Sequence, residues 1–180
     1  MIVLLFGISN VGKSTVGKIL AEKLCYDFYD LDDEIKKHYG VTLEEFVNTG
    51  TLRERDDKRG ALIKHLISKP SSNMVIAVTP LSHVEGIRKL LMTKDTLSIE
   101  LQDSAENIFD RLVFSDENDV IYTDDEYKNS HRNHYLEDII EDQSWYGSIY
   151  SDFCQPFDMN GDSPETVAER IISDFNIQEK

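Results

Sequence analysis

The sequence predicts an α/β fold, a three-layer sandwich around a central, mostly parallel five-stranded sheet. Three observations predict it. Short apolar runs alternate with longer amphipathic ones along all 180 residues. The first run, MIVLLF, is apolar without alternation, as a strand buried on both faces must be. It leads directly into FGISNVGKST and a helical pattern, the strand–turn–helix order of a parallel βα unit.

The elements follow in order. Residues 13–25 read as a helix, with Val16, Ile19, Leu20 and Leu24 at helical spacing. DFYDLD (27–32) is a second strand ending in acids, and Asp32 to Tyr39 a short helix stopped by Gly40. Thr42 and Glu45 form a capping box for another short helix, ended by Gly50. Residues 52–68 make a longer helix that turns Leu62, Ile63, Leu66 and Ile67 inward. MVIAV (74–78) is a strand, 82–92 a helix, and LSIEL (97–101) a strand. Ser104 caps a helix that runs to about Phe114, and the polar stretch SDENDVIYTDDEY (115–127) is an exposed flap. A long helix covers 131–150, FCQPFDM (153–159) contains the last strand, and Ser163 with Pro164 starts a final helix. No repeat or linker interrupts the pattern, so residues 1–180 read as one domain.

The formal charge is −15 and unevenly placed. Residues 1–109 hold 14 bases and 16 acids, and residues 110–180 hold 5 and 18. A polyanionic half repels nucleic acid and acidic membranes, so no partner of either kind is expected. No apolar run approaches the roughly 18 residues that span a bilayer. MIVLLF has no basic leader before it, and Cys25 and Cys154 read as core thiols of a reducing compartment. A cytoplasmic protein, monomeric or a weak homodimer, is the expectation.

Gly7, Gly12, Lys13 and Ser14 fit G-x-x-x-x-G-K-[ST] in full, between a buried strand and an amphipathic helix. Glycines let the backbone curl so that its N–H groups face phosphate oxygens, and the helix dipole adds to them. Gly7, Asn10, Val11, Gly12, Lys13, Ser14 and Thr15 are therefore expected to hold ATP. Lys13 reaches the β and γ phosphates, and the Ser14 hydroxyl suits Mg²⁺, a hard ion that prefers oxygen. A GTPase would carry a guanine-reading N-K-x-D, and none is present.

From residue 12 onward GKSTVGKILAEKL, DFYDLDDEI and GVTLEEFVNTGTLRERD closely resemble the shikimate kinase family. SPETVAERI resembles its last helix. The resemblance implies ATP-dependent phosphoryl transfer to a hydroxyl of a small metabolite, with shikimate the best named acceptor. It implies a helical acceptor-binding part at about 32–60 and a lid at about 112–130. It places Asp30 near the magnesium and Asp32 at the acceptor hydroxyl as base or orienter. It makes Arg55 the grip on a substrate carboxylate, with Arg53 the nearest substitute. It also lays adenine against the loop Asn160 to Ser163.

Departures from the family pattern lie on the acceptor side. Val78-Thr79-Pro80 stands where the family has three glycines, so Thr79 is expected to offer its hydroxyl in place of close backbone approach. The flap carries no arginine, which leaves Arg111, just before it, as the catalytic cation, and Arg132 as the next candidate. Asp142 takes the place of a further arginine. The alternatives this leaves are a different hydroxylated acceptor, uncharged or cationic, or a nucleoside, and a nucleotide-binding regulatory or partner-binding protein without transfer activity. His131, His134 and Asp138 share a helical face but lack the compact set of further ligands a metal needs.

Overall fold

The computed structural model describes residues 1–69 and 73–179. Its core is a five-stranded parallel sheet in the order β2-β3-β1-β4-β7. The strands are β1 (Ile2–Phe6), β2 (Asp27–Asp30), β3 (Met74–Ala77), β4 (Thr96–Gln102) and β7 (Gln155–Asp158). A separate antiparallel pair, β5 (Phe114–Ser115) and β6 (Ile121–Tyr122), forms the flap. The helices are α1 (Lys13–Leu24), α2 (Leu31–Tyr39), α3 (Leu43–Val47), α4 (Leu52–Ile67), α5 (Arg88–Leu91), α6 (Ala105–Asp110), α7 (Asp125–Ser130), α8 (Arg132–Tyr150) and α9 (Pro164–Asp174).

β1 is central, so both its faces are dry. Val3 and Leu5 belong to a core shared with Leu20 of α1, Ile139 of α8 and Val167 of α9. Leu4 and Phe6 face the opposite way, into a core shared with Ile35 of α2 and Ile63 and Leu66 of α4. Period-two alternation across a doubly covered sheet thus explains why the run is apolar throughout. Gly17 lets α1 lie close to the sheet: a Cβ there would come within 2.7 Å of Phe28 and 3.3 Å of Leu5.

Three expectations change. The helix expected over 82–92 is only α5. The amides of Ser82 and His83 instead donate to Asp56 Oδ2 at 3.1 and 3.0 Å, which holds the preceding segment in a loop. The helix expected from Ser104 to about Phe114 stops at Asp110, and Phe114 belongs to β5; the flap that follows is exposed as expected, a hairpin followed by α7. Cys154 is buried as expected, whereas Cys25 is exposed, because it is the left-handed C-cap of α1 at φ 55.

β1 lies between β3 and β4, while the chain leaves it for β2 on the far side of β3. Such a switch in strand order opens a crevice at the carboxyl ends of the strands. The glycine loop fills the end of β1, Asp30 ends β2, Thr79 follows β3, and Asp103 follows β4.

Candidate active site

The loop after β1 turns on glycine. Gly7 and Gly12 sit at φ 134 and 114, and a Cβ on Gly7 would stand 2.7 Å from Leu101 O. Asn10, at φ 60, is a third left-handed position. The loop closes around its own lysine: Lys13 Nζ donates to Gly7 O at 2.9 Å and to Ile8 O at 2.6 Å. Burial lowers the Lys13 pKa to about 8, against the opposing pull of Asp32 and Asp30. An ammonium desolvated in this way gains strongly from a phosphate anion.

Asp30 joins the loop to β2. Its Oδ1 accepts the Asp32 N–H at 3.0 Å, capping α2, and its Oδ2 accepts the Ser14 hydroxyl at 2.5 Å. Asp32 lies one residue inside α2, and its Oδ1 accepts the Thr79 hydroxyl. Burial raises the Asp32 pKa, and Asp30 raises it further; the Thr79 hydrogen bond, Lys13 and Arg59 oppose the rise. Ser9, Asn10, Gly12, Lys13, Ser14, Thr15, Asp30, Asp32, Thr79 and Arg111 all line one cavity of about 750 Å³. Gly7 and Val11, also expected at the nucleotide, are not among the residues that line it.

The expected cations divide. Arg111 lines the cavity, where its Nη2 donates to Asp103 Oδ2 at 2.7 Å. Burial would raise the Asp103 pKa, but Asn107, Arg111 and the Ser104 amide hold it below the ordinary carboxylate range. Arg55 is absent from the cavity lining, and its Nη1 caps the turn before α4 by donating to Gly50 O at 2.9 Å. Arg53 points at Glu85, and Arg132 stacks 4.7 Å above Phe109. His134 pairs with Asp138 on the surface at 3.4 Å, and no group of three or more His, Cys, Asp or Glu placed to hold a metal occurs among the described residues.

Arg59 was missed in the sequence. It is buried, lies 5.3 Å over the Phe46 ring, and is near enough to Asp32 to favour its ionised form. Its Nη1 donates to Asp56 Oδ1 at 2.9 Å, and its Nε is buried without a partner among the described residues. Asp56, fully buried, also accepts the ring Nδ1 of His83 at 3.0 Å. The charged run around it gives no contrast of its own; only counting back from Leu66 and Ile63 along the apolar stripe of α4 reaches Arg59 and Asp56.

A glycine loop on a switch-point strand, a lysine among carboxylates and a paired Thr–Asp at the cavity floor define a phosphate-loop kinase of small molecules. The family model described as shikimate kinase matches residues 9–176, and the chain belongs to that family. It is 32% identical over 174 residues to a shikimate kinase of Caldicellulosiruptor saccharolyticus, covering 95% of this chain and 93% of the relative. It is 28% identical over 176 residues to one from Thermodesulfovibrio yellowstonii, covering 96% and 94%. The crystal structure of shikimate kinase from Bacteroides thetaiotaomicron shares the fold, with TM-score 0.75 and 19% identity over 98% of this chain and 99% of that one. That of Acinetobacter baumannii shikimate kinase in complex with shikimate has TM-score 0.71 at 19% identity, covering 97% and 92%. ATP-dependent phosphoryl transfer to a small hydroxylated metabolite is the activity this membership supports. No helix among the described residues is long and apolar enough to cross a membrane.

Proposed function

We propose that the chain transfers the γ-phosphoryl group of ATP to a hydroxyl of shikimate. The observation that carries this reading is the meeting of Thr79, Asp32 and Lys13 in the cavity that the glycine loop opens. Phosphoryl transfer asks a protein for positioning and charge more than for covalent chemistry.

In this reading Lys13 exchanges two carbonyl partners for the β and γ phosphates. The Ser14 hydroxyl and the Asp30 carboxylate, 2.5 Å apart, are a hard oxygen pair that fits Mg²⁺. A magnesium ion held by Ser14 and Asp30 would supply positive charge to the phosphates. Asp32 orients the acceptor hydroxyl and takes its proton as the new O–P bond forms, and the bond from phosphorus to the ADP oxygen breaks. Neither Arg55 nor Arg59 lines the cavity; Arg59, whose charge is felt at Asp32, is the candidate to hold the substrate carboxylate. Arg111, steadied by Asp103, supplies charge from the flap side. Residues from about 32 to 60 form the acceptor part, and about 112–130 the lid. The chain acts in the cytoplasm as a monomer or weak homodimer, since one chain supplies every group named.

The test is ³¹P NMR of the chain with MgATP and shikimate. A new phosphomonoester signal growing with ADP supports the reading. ATP that stays intact with shikimate, and with a panel of other hydroxylated metabolites, would turn the assignment to a regulatory nucleotide-binding protein.

A further inference from the structure

The flap is a hairpin whose turn is tied by one of its own side chains. Asp116 organises its turn: Oδ1 accepts the amides of Asn118 at 2.8 Å and Val120 at 2.9 Å, and the Asp116 amide donates to Val120 O at 3.0 Å. Asp119 follows at φ 61, a left-handed conformation that aspartate tolerates better than bulky residues. Its carboxylate leaves the hairpin and meets α3, with Oδ2 at 3.0 Å and Oδ1 at 3.3 Å from the Leu43 amide. Leu43 opens its helix, so its N–H has no partner within α3.

What holds this flap over the cavity is the question its charge raises. Val113, Phe114, Ser115 and Ile121 border the cavity. Yet residues 112–127 contain six acids and neither lysine nor arginine. Such a segment is repelled by a triphosphate, so the phosphates do not draw it shut. The Asp119–Leu43 hydrogen bond joins it instead to the acceptor side, and Leu43 itself lines the cavity.

We propose that Asp119 is the positioning residue that latches the flap to the acceptor-binding helices through the Leu43 amide. The inference rests on the kinase reading above. Closure is then linked to the acceptor part of the site, and the nucleotide loop takes no share in it. Losing the latch weakens the hold on the acceptor more than the hold on ATP.

The direct test is residue-resolved amide exchange by NMR on the full chain, wild type against Asp119→Ala and Asp119→Asn. Asp119→Ala is expected to speed Leu43 exchange about tenfold, the effect of one hydrogen bond to a charged group. Asp119→Asn keeps a neutral acceptor oxygen and restores part of the protection. The Phe46 amide, bonded to Thr42 O at 3.0 Å inside α3, is expected to stay unchanged. Unchanged Leu43 exchange in Asp119→Ala overturns the proposal, as does equal acceleration at Phe46, which reports unfolding of α3. In steady-state assays Asp119→Ala is expected to raise KM for shikimate more than KM for ATP, with partial rescue by Asp119→Asn; an equal rise in both counts against the latch. The exchange arm needs no turnover. A chain that fails to phosphorylate shikimate therefore counts against the functional reading while exchange still decides the latch.

Discussion

Thr79 donates its hydroxyl to Oδ1 of Asp32, tying the end of β3 to the first turn of α2 across the cavity floor. The pairing of β2 with β3, Asp30 opposite Ala77, brings the two together. Burial pushes the Asp32 carboxyl towards its neutral form, and the Thr79 hydrogen bond pulls it back. In the proposed reaction Thr79 thereby keeps the carboxylate available as a proton acceptor.

Thr79→Val removes the hydrogen bond that favours ionised Asp32. The acid limb of the pH profile of kcat/KM is expected to move to higher pH, while Thr79→Ser leaves it in place. A limb that does not move would separate Asp32 from proton transfer.

Asp32→Asn is expected to lower kcat by about 100-fold or more, with ATP affinity held within a few-fold. Because the folded pKa of Asp32 is raised, its favourable contribution to stability is present below the ordinary aspartate value and lost as pH rises through the folded one. At neutral pH the ionised carboxylate is therefore a cost, and Asn is expected to raise Tm. Thermal melts at pH 7 check this; a lower Tm would show that the Thr79 bond outweighs desolvation.

Lys13→Ala is expected to cut kcat by roughly 10²–10³-fold through lost charge stabilisation. Lys13→Met serves for stability. The Lys13 pKa is lowered from 10.5 to about 8, so the cost of burying its charge is full below about 8 and fades as pH rises towards 10.5. Without nucleotide the methionine variant is expected to be the more stable at pH 7, by an advantage that shrinks by pH 10. Urea midpoints at the two pH values measure it.

Arg59→Met is expected to raise KM for shikimate by about tenfold or more, the weight of a charge-assisted hydrogen bond. Arg55→Ala changes it little. Asp56→Ala strands the Arg59 charge and is expected to cost about 3–5 kcal/mol. The reverse order of Arg55 and Arg59 in KM would return the carboxylate grip to the turn before α4.

The sheet was legible because period and length agreed: MIVLLF, MVIAV and LSIEL are short apolar-rich runs each followed by a turn, and DFYDLD and FCQPFDM complete the strand–helix alternation. The phosphate loop was legible because its glycines and lysine must be contiguous. The acceptor side was not, and Asp56 explains why. Arg53, Glu54, Arg55, Asp56, Asp57, Lys58 and Arg59 are all charged, so the run gives no contrast from which to read a face. Asp56 also reaches across to Ser82 and His83, which truncates α5, a long-range contact invisible to local propensity. The flap hairpin was hidden too: Asp116 acts through the turn amides of Asn118 and Val120, which any polar loop could contain, and Asp119 through the distant Leu43 amide.

The central claim, phosphoryl transfer from ATP to a small acceptor governed by Asp32, is tested most directly by initial rates of ADP formation. Wild type and Asp32→Asn are compared with MgATP, with and without shikimate. The account predicts acceptor-dependent ADP formation in the wild type, matched mole for mole by phosphorylated acceptor and lost in Asp32→Asn. ADP formation that is the same with and without shikimate, or that survives in Asp32→Asn, would contradict it.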